Sequence, residues 1–127
     1  QGFVARDKVS QVMSGAIYLS LDINPACPNT VVEAMACGAP VVGFDTGALK
    51  ELVSEKTGGI VPYGSDPWTL AYPDVDSLID AIYQVANHYE QYAQNARSLA
   101  EQKFSLEWMT EQYLKVLNHQ FSAANVV

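Results

Sequence analysis

The stretch Asn29-Thr30-Val31-Val32-Glu33-Ala34-Met35-Ala36-Cys37-Gly38-Ala39-Pro40-Val41-Val42 constrains this chain more than any other. Apolar residues recur at helical spacing up to Cys37. Gly38 then stands where a helix ends in a left-handed residue. Val41-Val42 open a continuous apolar run, as in strands buried on both faces of a parallel sheet. A helix that stops on glycine and passes straight into such a strand leaves few alternatives to a β-α-β unit.

The 127 residues suffice for one domain with its own core. Hydrophobic residues make up 49% and charged residues 17%, an ordinary globular composition. No apolar run approaches the roughly 18 residues of a membrane span, and no signal peptide is visible. Gln1-Gly2-Phe3-Val4 lacks an initiator Met and enters at once on an apolar run, so it reads as the interior of a longer chain. Net charge is -7 with the cations scattered; a nucleic-acid surface needs them clustered. Cys27 and Cys37 have neither disulfide-framework nor metal-ligand spacing. Cys37 is expected as a small core residue. His88 and His119 sit on separate helical stretches and are expected to be solvated or packed.

Strands are expected at 2–4, 16–21, 40–44 and 58–63, the last ending at Pro62 or lying on an edge. Short helices are expected at 6–14, 29–37 and 48–54. Residues 64–73 read as a loop pinned by Trp68. Asp74 or Asp76 caps a helix whose inner face is Leu78, Ile79, Ile82, Tyr83, Val85, Ala86 and Tyr89. A helix over 90–102 turns Tyr92, Ala93, Ala96, Leu99 and Ala100 inward. Ser105 caps a last helix whose Trp108, Met109, Tyr113, Val116 and Leu117 face the core, and 122–127 fray. The alternation predicts an α/β fold: a partial Rossmann-like parallel sheet of three to four strands, flanking helices and a helical C-terminal segment. The β-α units occupy about 1–73 and the helical segment about 74–121. A complete sheet of this kind has about five or six strands. Its open edge is therefore expected to be covered by further sequence of the same protein or by a second copy.

Residues 29–37 also carry chemistry. On a wheel of about 100° per residue, Asn29 and Glu33 share a face beside the small Ala36 and Cys37. Val31, Val32, Ala34 and Met35 cover the remainder. The helix start offers free backbone N–H groups and a partial positive charge, with Asn29 or Thr30 as its cap. A phosphate suits those donors. Glu33, a turn deeper, can accept two vicinal hydroxyls, so diphosphate plus ribose matches the footprint. Such a site falls at the carboxyl end of a strand, where open α/β sheets bind ligands. The plainer alternative makes Glu33 a solvated helix acid.

Residues 28–42 resemble the nucleotide-sugar-binding stretch of the retaining GT-B glycosyltransferases, the large group 1 family. The likeness continues through Asp45-Thr46-Gly47-Ala48, Glu51-Leu52-Val53 and Gly58-Gly59-Ile60-Val61-Pro62. Phe104-Ser105-Leu106-Glu107-Trp108 is similar to the start of that family's closing helix, and Gly2-Phe3-Val4 fits its preceding strand. The resemblance implies the C-terminal donor-binding domain of such an enzyme, beginning partway through. The family's second glutamate, which binds ribose, falls on Glu33. Its first, near the transferred sugar, falls on Pro25, and Asp22 and Asn24 lie close by but out of register. The glycines that often follow are here Ala26, Cys27 and Pro28, and Pro28 has no N–H to donate. The resemblance thus points to Glu33, Asn29, Thr30, Val31, Cys27 and Asn24 as nucleotide-sugar-binding residues. Glu51 and Gly47 stand behind them.

What the resemblance implies further is a UDP- or GDP-sugar as donor substrate, retention of anomeric configuration, and neither cofactor nor metal. The phosphate-binding Arg and Lys, the acceptor site and the catalytic residues fall upstream of Gln1, in the same protein's N-terminal part. Residues 1–127 alone are expected to bind donor weakly and to be inactive. The expected setting is polysaccharide or glycolipid synthesis in the cytoplasm or at the cytoplasmic face of a membrane. Two alternatives stand beside this reading. One is a non-enzymatic flavodoxin- or receiver-like module. The other is another GT-B enzyme, such as a sugar-nucleotide epimerase or a phosphorylase.

Overall fold

The computed structural model describes residues 4–124. The first expected strand falls mostly on Gly2 and Phe3, outside the described residues, as does the tail at 125–127. A 3-10 turn at Arg6–Lys8 leads into helix α1 (Val9–Met13) and strand β1 (Tyr18–Ser20). Helix α2 (Asn29–Ala36), strand β2 (Val41–Phe44), helix α3 (Leu49–Leu52) and strand β3 (Gly58–Val61) follow. A 3-10 turn at Pro67–Thr69 separates them from α4 (Val75–Asn87), α5 (Tyr89–Lys103) and α6 (Leu106–Ala124). The strands form a parallel sheet in the order β1-β2-β3, with Tyr18 opposite Val41 and Val41 opposite Gly58. This is the expected α/β architecture. No helix among the described residues is long and apolar enough to cross a membrane.

β2 lies between two apolar clusters, and its alternation explains both. Val41 joins Val31, Ala34 and Met35 of α2 and Ala96 and Ala100 of α5 on one face. Val42 and Phe44 join Leu78, Ala81 and Val85 of α4 on the other. Successive strand residues point to opposite faces, so an unbroken apolar run needs helices on both.

Helix α2 is anchored at its C-terminal end. Gly38, at φ +75°, makes the left-handed turn that ends it. From α5, the Arg97 Nη1 donates to the Ala36 carbonyl and the Tyr89 hydroxyl donates to the Gly38 carbonyl at 3.5 Å. A guanidinium suits the exposed carbonyls and partial negative charge of a helix C-terminus.

Four expectations change. Trp68 does not pin its loop, being 81% exposed. Asp66 caps the turn by accepting from the Trp68 N–H, while the Tyr63 hydroxyl bonds the Ala71 carbonyl at 2.8 Å. Helix α6 starts as expected, the Ser105 Oγ accepting from the Trp108 N–H at 3.2 Å, yet its apolar face is not core. Trp108 is 42% and Tyr113 66% exposed. Both sheet faces are already covered by α2, α5 and α4, and the apolar residues of α6 join neither core cluster. The helix also runs to Ala124, past the start of the expected frayed tail. On α4, Ala81 takes a core place that the outward-turned Ile79, Tyr83 and Ala86 were expected to share.

Met35 is fully buried at the α2–α5 contact. Met35→Ala is expected to cost about 2–5 kcal/mol, the range for a large core side chain truncated to alanine, read from denaturant unfolding. Asp74 is the residue that caps α4, its carboxylate accepting from the Ser77 N–H at 3.1 Å and the Ser77 hydroxyl at 2.7 Å. The hydroxyl bond, then the backbone bond, hold its pKa below the ordinary 3.8. A depressed carboxylate stabilises the fold above its unfolded pKa and ceases to do so as pH falls through the folded one. Asp74→Ala should therefore destabilise at pH 7. The gap between variant and wild type should close only below 3.8, as followed by thermal unfolding across pH.

Candidate functional site

The carboxyl ends of β1 and β2 lie side by side because Ser20 pairs with Gly43. The loops that leave them, 21–28 and 45–48, therefore meet. The Asn24 N–H donates to the Thr46 Oγ1 at 3.3 Å, and the Ala48 N–H donates to the Pro25 carbonyl at 2.8 Å. Gly47 takes φ +54° between these bonds, and a Cβ there would collide with the Pro25 backbone. A side chain is thus excluded at Gly47 by both conformation and space.

Helix α2 starts from this corner. Pro28 holds the N-cap position, with no side-chain capping bond, so neither Asn29 nor Thr30 caps the helix as expected. Proline's fixed φ suits an entry at which its missing N–H would be unpaired in any case. The Val31 N–H is taken by the Pro28 carbonyl at 3.0 Å, which removes it from the three donors expected for a ligand. The N–H groups of Asn29 and Thr30 precede the first intrahelical bond and have no protein partner among the described residues.

Val31, Ala34 and Met35 turn into the core, while Asn29, Thr30 and Glu33 are exposed. Cys27 is exposed in the preceding loop and Asn24 is half-buried, with a left-handed φ of +54°. Cys37 is half-buried, not a full core residue. Glu51 is exposed on α3 and Gly47 lies behind loop 22–28. The structure thus gathers Asn24, Cys27, Asn29 and Thr30 at one corner, with Glu33 a turn along α2.

Lys50, the cation nearest in sequence, is engaged elsewhere. Its Nζ donates to the Asp45 Oδ2 at 2.7 Å. That hydrogen bond, with the Asp45 charge behind it, raises the lysine pKa above the ordinary value. Both residues line a cleft of about 520 Å³ along β3, with Val61, Pro62, Gln84 and Tyr92. Lys50 therefore sits in the cleft along β3, paired with Asp45. His88, whose Nδ1 lies 3.1 Å from the Gln84 carbonyl, borders a separate cleft of about 440 Å³. Among the described residues, no three His, Cys, Asp or Glu side chains cluster as metal ligands would.

Sequence reasoning missed Thr46. It stands in the family-like Asp45-Thr46-Gly47-Ala48 stretch, but nothing local marks it as a hydrogen-bond acceptor, and its partner lies 22 residues away. Pro28 as cap and Arg97 as anchor were equally invisible, since one breaks the usual cap preference and the other bridges 61 residues.

Known proteins are similar to this chain in sequence and in fold. The chain is 31% identical over 86 residues to the alpha-maltose-1-phosphate synthase of Mycobacterium tuberculosis, a match covering 67% of this chain and 22% of that protein. It thus spans about a fifth of that relative's length. Two solved structures share its fold at 24% identity. Sucrose-phosphate synthase from Thermosynechococcus elongatus aligns with a TM-score of 0.56 over 76% of this chain and 23% of that one. Anabaena HepE, crystallised in complex with UDP, aligns with a TM-score of 0.60 over 90% and 30%. Residues 1–88 match the family described as glycosyl transferases group 1, and with a parallel α/β sheet and an open helix mouth at its carboxyl end, the chain belongs to that family.

Proposed function

We propose that this chain is the donor-binding part of a C-terminal GT-B domain, in an enzyme that transfers a hexosyl group from a nucleoside diphosphate sugar with retention of anomeric configuration. One observation carries the reading. Glu33 stands exposed on α2, one turn behind two backbone N–H groups without protein partners among the described residues. Those donors suit a diphosphate, and the carboxylate accepts the two ribose hydroxyls. The UDP bound by HepE, a protein of the same fold, supports a nucleoside diphosphate as the ligand, with a UDP- or GDP-sugar as donor.

Transfer requires stabilisation of the charge that develops on the departing nucleoside diphosphate. The first turn of α2 contributes about 0.3–1 kcal/mol per charge, far too little alone. Lys50 is held by Asp45. The remaining cations and the catalytic groups therefore come from other parts of the full-length protein, and residues 1–127 alone bind donor weakly and turn nothing over.

In the full-length protein, Glu33→Ala is expected to raise the donor KM about 10- to 100-fold, the equivalent of roughly 1.5–3 kcal/mol for a lost hydrogen bond to a charged group. Steady-state kinetics against donor concentration decide it; an unchanged KM removes the ribose assignment.

The edge of β1 that has no strand partner among the described residues belongs, on the same reading, against the rest of the donor domain or a second copy. Leu19 and Leu21 are 44% and 57% exposed there, an apolar edge that invites pairing. Light scattering of residues 1–127 alone should show association, and a compact, monodisperse monomer would count against a covered edge.

A further inference from the structure

Loop 22–28 does not hold its own shape. It carries two prolines, and its Asn24 sits in the left-handed region, which asparagine tolerates better than other side chains but which still requires support from its surroundings. The requirement comes from the next loop. Thr46 is 5% exposed, and its Oγ1 accepts the Asn24 N–H. Ala48 bonds the Pro25 carbonyl, and the Gly47 backbone lies against Asn24 and Pro25 where any Cβ would collide. Thr46 is itself tied down. Its N–H donates to the Phe44 carbonyl at 2.8 Å, and its carbonyl accepts from the Leu49 N–H at 3.3 Å. Loop 22–28 is thus latched to the end of β2 and the start of α3, while α2 rests on its own core contacts.

We propose that Thr46, with Gly47 and Ala48, is a positioning element that sets the path of loop 22–28. With ribose at Glu33 and diphosphate at the mouth of α2, the sugar at the far end of the diphosphate falls beyond the mouth, beside that loop, so the latch governs the fit of the transferred sugar but not of the nucleotide. The proposal rests on the donor-binding reading above. Pro25 can offer a ligand neither an N–H nor a polar side chain. The loop's polar contribution falls to its backbone and to neighbours such as Asn24, whose direction the latch determines. The nucleotide meets α2, whose anchors at Ala36, Gly38 and the core do not pass through the latch. Displacement of the loop by about 1 Å suffices for a loss of up to about 100-fold in turnover.

The test uses the full-length protein. Thr46→Val keeps the side-chain shape and removes the acceptor. Turnover of nucleotide sugar (kcat/KM) should fall at least about tenfold, while Kd for the free nucleoside diphosphate, UDP or GDP as the wild type prefers, stays within about twofold. Thr46→Ser, which restores the hydroxyl, should recover most of the turnover. Ala48→Pro removes the second latch bond at a φ of -85°, which lies near proline's range, and should show the same split. Equal losses in nucleotide affinity and turnover, no loss in either, or failure of both Thr46→Val and Ala48→Pro to fold would each overturn the latch. A wild-type protein that binds no nucleoside diphosphate would instead overturn the reading on which the latch rests.

Discussion

Strand β2 is the constraint on which the rest depends. Val41 and Val42 are both fully buried, one toward α2 and α5 and the other toward α4. Burial of each side chain is worth roughly 1.5–3 kcal/mol, and both faces must be covered for it to be realised. The parallel ladders to β1 and β3 then hold the neighbouring strands in register. A slip by one residue would turn the valines and their partners to the wrong faces. The same register brings the carboxyl ends of β1 and β2 together, so the two loops that build the site meet as a by-product of core packing.

Helix α2 divides its ends between structure and chemistry. Its C-terminal end is saturated by the Gly38 turn, by Arg97 and by Tyr89. Its N-terminal end keeps the Asn29 and Thr30 N–H groups without protein partners among the described residues, behind a proline that cannot cap by side chain. A Ser or Asp at position 28 would stabilise the helix by filling one of those donors. Pro28 leaves them available. The helix can do without a cap because Val31, Ala34 and Met35 fix it through tertiary burial, the main source of helix stability in proteins.

Much of this was legible in the chain itself. The period of residues 29–37, the Gly38 stop and the valine run identified α2 and β2 within a residue or two, because local periodicity and burial agree there. The cap of α4 was narrowed to Asp74 or Asp76, as capping acts over three residues, and the structure decided for Asp74. Helix α6 was misjudged at the level of burial. An apolar face says that a helix wants a partner, not that one is within reach, and the sheet's faces were already taken. Trp68 misled for a related reason, since a large aromatic in a loop reads as an anchor wherever its neighbours are unknown.

By itself the sequence determined the elements, their order, the parallel sheet and the helix face on which Glu33 stands, since each follows from spacing over a few residues. Only the tertiary structure decided which backbone groups remain open at the helix mouth, where Lys50 turns, and what holds loop 22–28 in place. The hold on loop 22–28 depends on a partner 22 residues away, Lys50 on its pairing with Asp45, and the seating of α2 behind its open mouth on anchors 51 and 61 residues away. Contacts of that range exist only once β2 has drawn both halves of the chain onto one sheet.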